Sequence, residues 1–248
     1  RACKAAGVKP IIGCEIYVAP GSRFDKEKNE DGNYSHLVLL CKNRQGYENL
    51  IQIVSKAFTE GFYSKPRADI ELLRKHHEGL IALSACLSGY IPKHILNGDT
   101  NGAKKHALLL NEIFGQGNFF LELQDHGIPE QRMVNQQLMR MSQETGIELV
   151  CTNDVHYTYA EDEKPHDILL CLQTGKKLAD EDRMRYEGGQ YYVKSKEEMA
   201  ALFPYAPEAL ENTQKIADRC HVEIEFGVTK LPKFDVPEGF TSWEYLNK

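Results

Sequence analysis

The chain has 248 residues, 42% hydrophobic and 27% charged, the balance of a globular protein with one large domain or two small ones, at roughly 100–200 residues each. Thirty Lys and Arg against thirty-six Asp and Glu leave a net charge of −6. No global positive field therefore draws the chain onto nucleic acid or an anionic membrane, and any nucleic-acid contact has to be local or metal-assisted. No apolar run approaches the ~18 residues that spanning a bilayer needs, and no charged-then-apolar signal pattern opens the chain. Seven cysteines, an odd number with no C-x-x-C pair, fit a reducing compartment, so the expected location is cytoplasmic.

Residues 1–7 read as the last turns of a helix stopped at Gly7, with no initiator Met, as in the interior of a longer polypeptide. Lys9 to Ala19 is an apolar, β-branched run read as a buried strand, followed by a charged, Gly-containing loop through Asn33. Ser35 to Lys42 is the next strand, and Leu50, Ile51, Val54 and Phe58 give helical spacing over Tyr47 to Phe58. A short helix over Ile70 to Lys75 precedes a strand at Gly79 to Ser84, helices at Ile91 to Leu96 and Ala103 to Phe114, and a strand at Asn118 to Leu123. Glu130 to Glu144 is a helix bounded by Pro129 and Gly146, and Ile147 to Thr152 is a further strand. Strands alternating with helices imply an α/β fold on a parallel sheet, with a barrel as its closed form. Beyond Tyr159 the pattern weakens: a helix at Pro165 to Leu172, a strand at Gln190 to Lys194, a capping box at Ser195 to Glu198 and a helix at Pro207 to Cys220. Residues 230–239 read as a linker, and Thr241 as the cap of a helix that runs to the end of the chain.

Metal-ligand side chains fall within these apolar strands or just after them, where desolvation is costly without a purpose. Glu15 follows Ile11-Ile12-Gly13-Cys14, His36 begins a strand, Cys86 ends another, and Asp154 and His156 follow Leu149 to Asn153. Two apart on an extended backbone, Asp154 and His156 point to one side. Carboxylate, imidazole and thiolate together suit Zn²⁺, with Mn²⁺ or Fe²⁺ as alternatives where carboxylates and histidines dominate. A purely structural reading stands beside this one: an ion pair for Glu15, a hydrogen-bonded strand histidine at His36, packing at Cys86. His126 closes another strand, where a Gly-containing turn explains it equally well. No P-loop, G-x-G-x-x-G or G-x-S-x-G motif occurs.

Lys9-Pro-Ile-Ile-Gly-Cys-Glu-Ile-Tyr-Val-Ala, Ser35-His-Leu-Val-Leu-Leu, Gly46-Tyr-Glu-Asn-Leu, Glu60-Gly-Phe-Tyr-Ser-Lys-Pro-Arg, Gly79-Leu-Ile-Ala-Leu-Ser-Ala-Cys-Leu-Ser-Gly and Thr152-Asn-Asp-Val-His-Tyr occur in order. Together they resemble the PHP (polymerase and histidinol phosphatase) domain of bacterial DNA polymerase III alpha subunits, the C-family replicative polymerases, over nearly the whole chain. That resemblance implies a distorted, TIM-like (β/α) barrel, here lacking its first strands, over residues 1–228. Residues 229–248 would be the linker and the start of the following palm region. It places Glu15, His36, Cys86, Asp154 and His156 at ligand positions of a divalent metal cluster and makes His126 a substrate-side candidate. The family's opening His-x-His strand, the Asp after it and its Thr-Asp-His motif have no counterpart here.

The activity so implied for the intact protein is DNA-directed DNA polymerisation, with metal-dependent 3′→5′ exonuclease proofreading in the PHP domain through a metal-bound water; the fragment alone is expected to be inactive. The implied partners are the 3′ end of a primer strand, the other polymerase domains, the sliding clamp and a separate proofreading subunit. Two alternatives are a metal-free structural domain that docks such a subunit, and a free-standing PHP phosphoesterase.

Overall fold

The computed structural model describes residues 1–27, 34–186, 188–229, 231 and 234–248. The charged loop expected through Asn33 and the linker expected at 230–239 lie partly outside these residues. In chain order the elements are α1 (Ala2–Ala5), β1 (Gly13–Val18), β2 (Ser35–Cys41), α2 (Arg44–Thr59), β3 (Arg67–Ala68), α3 (Ile70–Lys75), β4 (Leu80–Leu83), α4 (Tyr90–Leu96), α5 (Thr100–Phe114), β5 (Phe119–Leu123), α6 (Pro129–Thr145) and β6 (Leu149–Cys151). A 3-10 turn (Ala160–Asp162) then leads into α7 (Glu163–Thr174), α8 (Lys196–Leu202), α9 (Pro207–Arg219) and α10 (Ser242–Leu246). No described helix is long and apolar enough to cross a membrane.

The strands form one six-stranded sheet in the order β3-β1-β2-β4-β5-β6. The α/β class expected from the sequence holds, with a correction: the sheet is mixed, because β2 runs antiparallel to both β1 and β4 while the other pairs are parallel. Parallel neighbours need a crossover of a dozen or more residues, usually helical. The stretch between β1 and β2 carries no helical periodicity, in keeping with a connection that reverses the chain instead of crossing over. The strand expected at Gln190 to Lys194 is likewise absent. That segment is held by three backbone bonds, from His156 N–H (2.8 Å) and Tyr157 N–H (3.3 Å) to Tyr191 O and from Val193 N–H to Thr158 O (3.2 Å), which do not extend into a ladder.

Side-chain parity decides what each face of the sheet carries. Ile16 and Val18 of β1, Leu37 and Leu39 of β2, Leu80 and Ala82 of β4, and Phe119, Leu121 and Leu123 of β5 enter the main core, packed with apolar residues of α2 to α6. The opposite parity holds a smaller cluster of Ile81, Leu83, Phe120, Val150, Ile216 and Cys220, with Val38 and Leu40 against it. Glu15, His36 and Glu122 share that second parity with Val38 and Phe120, so one face of the sheet is apolar toward one end and polar toward the other.

Two close backbone approaches hold this layout. Asn43 caps α2 by accepting from Gly46 N–H (3.0 Å), which brings Gly46 against Gly79, a residue with φ of +75° at the entrance to β4. A Cβ on Gly46 would lie 1.9 Å from the Gly79 carbonyl oxygen, so no side chain fits. Gly46→Ala is therefore expected to destabilise the fold by about 1–3 kcal/mol in urea unfolding; wild-type stability would contradict so tight a contact.

Candidate metal centre

Strand register builds the first part of the site. Glu15 pairs with Val38 and Tyr17 with His36, so Glu15 and His36 are diagonal neighbours on one face. His36 Nδ1 lies 2.9 Å from Glu15 Oε1. The start of β2 is also clamped by His36 N–H donating to Ser88 O (3.0 Å), and Tyr34 stacks on the His36 ring with Tyr17 at its edge. Beyond β4 the chain turns through Ala85 in a left-handed conformation, φ 64°, and delivers Cys86 with its Sγ 3.7 Å from His36 Nδ1. Glu15, His36 and Cys86 each present a ligand atom within 4.8 Å of the other two. Tetrahedral Zn²⁺ with bonds of about 2.0–2.3 Å sets neighbouring ligand atoms about 3.3–3.7 Å apart, so this mixed oxygen, nitrogen and sulfur set fits a divalent ion with small adjustment.

Asp154 and His156 arrive from the segment after β6. Asp154 has φ of 42°, so the extended-backbone argument for their shared side does not apply; the left-handed residue brings them together instead, His156 Nε2 lying 3.4 Å from Asp154 Oδ1. Asp154 is close enough for its charge to act on the Cys86 thiol, although the pair lies outside the 4.8 Å trio. His156 is walled by Tyr186 (ring centroids 4.2 Å apart), Tyr191 and His166.

His126 is buried, and both its ring nitrogens are engaged. Nε2 is 2.8 Å from Asn153 O, and Gln131 Nε2 is 2.8 Å from Nδ1 while Gln131 Oε1 accepts the His126 backbone N–H. Its ring stacks on Tyr191 at 3.9 Å. Desolvation lowers its pKa, and the network suits a neutral ring that donates from Nε2. His126 thus meets the site through Asn153 and Tyr191, without a free nitrogen facing it.

Sequence reasoning missed Glu122. Its carboxylate is buried in β5, where it accepts from Ala85 N–H (2.8 Å), Gln124 Nε2 (3.2 Å) and the Thr152 hydroxyl. Burial is the main force raising its pKa, to about 7, against those hydrogen bonds. The available signal was a Glu inside Phe119-Phe-Leu-Glu-Leu, the argument that singled out Glu15. Cys86 is pushed up to about 11, first by burial and then by the charges of Asp154, Glu15 and Glu122.

The PHP domain family model matches residues 1–126, half of the chain. The chain belongs to the PHP domain family. It is also 47% identical over 246 residues to DNA polymerase III subunit alpha of Treponema pallidum, covering 99% of this chain and 21% of that protein. The corresponding subunits of Thermus aquaticus and Deinococcus radiodurans are 46% and 42% identical over 98% and 96% of the chain. The chain spans about a fifth of the length of these relatives.

A Cys86 thiol with a pKa near 11 is protonated at neutral pH, and a metal ligand must be the thiolate. Binding therefore releases a proton, and apparent Zn²⁺ affinity should rise by up to about tenfold per unit between pH 6.5 and 8. Calorimetry in buffers of different ionisation enthalpy should register that proton; its absence would remove Cys86 from the ligand set.

Proposed function

We propose that this chain is the PHP domain of the alpha subunit of a bacterial DNA polymerase III and that the intact protein carries metal-dependent 3′→5′ exonuclease chemistry at this domain. The observation that carries the reading is the Glu15, His36 and Cys86 trio at one end of the sheet, with Asp154 and His156 beside it. Near-complete alignment with polymerase alpha subunits supports the parent identity. Residues 1–228 would be the PHP domain, with 229–248 leading toward the polymerase palm.

Glu15, His36 and Cys86 would hold the ion, with Asp154 and His156 contributing at its open side. Zn²⁺ is the best match to a set that includes a thiolate, with Mn²⁺ or Fe²⁺ as alternatives. When bound, such ions activate water at neutral pH and neutralise charge on a phosphodiester. The chain's own part is positional and electrostatic. Asp154 lies beside the His156 imidazole, Tyr186 and Tyr191, edge to face with each other, shield that flank, and His126 fixes the Asn153 carbonyl behind Asp154. The substrate would be the 3′ end of a primer strand in the cytoplasm, presented by the other polymerase domains, with the sliding clamp and a separate proofreading subunit as further partners.

A second reading, a structural PHP platform for a separate proofreading subunit, draws support from the exposed row of Ile168, Leu169 and Leu172 on α7. One assay separates the two. In the intact protein Asp154→Asn should cut degradation of a mispaired 3′ end by at least about 10–100-fold, the range for disturbing metal-site residues, with primer extension retained. If the wild-type protein degrades no 3′ end in the presence of Zn²⁺ or Mn²⁺, the catalytic reading fails and the platform stands.

A further inference from the structure

Cys86 and the Asp154–His156 pair are delivered by different strands, yet each is preceded by a residue in direct contact with one buried carboxylate. Glu122 Oε2 accepts the N–H of Ala85, the left-handed residue next to Cys86. Its Oε1 accepts the hydroxyl of Thr152, two residues before the left-handed Asp154, and Gln124 Nε2 donates to both Glu122 Oε1 (3.2 Å) and Thr152 Oγ1 (3.1 Å). The backbone of Glu122 is tied in as well, its N–H donating to Ser84 Oγ at 2.8 Å. Glu122 and Cys86 also line one small open depression, with Gln124 and Gln131 beside them.

Left-handed backbone at non-glycine residues costs of order 1–3 kcal/mol and persists only where surrounding contacts hold it. Among the described residues three non-glycine positions have positive φ, and two of them are Ala85 and Asp154. A carboxylate serves here because its ionised form is acceptor-only, with two oxygens able to take all three donors at once; an amide in its place would turn an N–H₂ toward at least one of them.

We propose that Glu122 is a positioning residue for metal binding, a clasp that fixes the Ala85–Cys86 turn and the Thr152–Asp154 turn in one register so that their side chains converge. This rests on the metal-centre reading above. Glu122 would touch neither metal nor substrate, and its effect would pass through the two turns.

The test is a Co²⁺ titration of the intact protein, followed by the thiolate-to-cobalt charge-transfer absorption that only sulfur ligation produces, with Cys86→Ser to assign the band. Wild type should show the band. Glu122→Gln and Thr152→Val should each weaken Co²⁺ binding at least about tenfold while the folded protein retains its far-ultraviolet circular dichroism. The double variant should lose little more than the worse single one, because both changes cut the same link. Thr152→Val keeps the test open if Glu122→Gln does not fold, since it removes one hydroxyl at nearly constant volume. Unchanged Co²⁺ affinity in a folded single variant, or equal losses that simply add in the double, would overturn the clasp while leaving the metal centre intact. A wild-type protein without the Cys86-dependent band would overturn both.

Discussion

Alternation of side chains along the strands is the constraint on which the site depends. Burying Ile16, Leu37, Leu39, Leu121 and Leu123 in the main core obliges Glu15, His36 and Glu122 to point the other way, because successive residues of a strand face opposite sides. A shift of one residue in the pairing of β1 with β2 would place Glu15 in the core and an apolar residue in the site. The hydrophobic pattern therefore sets the position of the polar group with no dedicated device. The reversed β2 completes the arrangement: its first turn of chain, at His36, lies beside the exit of β4, where Ser88 and Gly89 meet it.

The electrostatics of this face differ from those elsewhere in the molecule. Asp69, buried, is neutralised by Arg23, whose Nη1 lies 3.0 Å away, and caps α3. Glu15 and Asp154 pair only with histidines among the described residues, and Glu122 is satisfied by uncharged donors alone. Glu15 and Asp154, carboxylates without a Lys or Arg partner among the described residues, make a local negative charge that a divalent ion would offset. The same logic reconciles a net charge of −6 with the proposed place in a DNA polymerase, since the positive field would be local and supplied by bound cations.

Much of this was legible in the sequence. Helix limits followed from caps that operate as written, such as Ser195 with Glu198, and strand positions from apolar runs. Glu15, His36 and Cys86 stood out because ligand-type side chains in or beside apolar strands are expensive. Three features were hidden for identifiable reasons. The direction of β2 depends on a connection rather than on the strand's own residues. Asp154 and His156 were expected on one side, but the left-handed backbone that brings them together is anticipated by no periodicity rule. The role of Glu122 depends on donors from two distant segments, Ala85 and Thr152, which adjoin only once β4, β5 and β6 are paired.

The claim on which the account turns is that Glu15, His36 and Cys86 hold a divalent ion. Anomalous X-ray scattering above and below the zinc edge, from crystals of the intact protein grown with Zn²⁺, tests it directly. The account predicts an edge-dependent peak between Glu15 Oε1, His36 Nδ1 and Cys86 Sγ. A map featureless there, or one with zinc held only elsewhere on the protein, would contradict it.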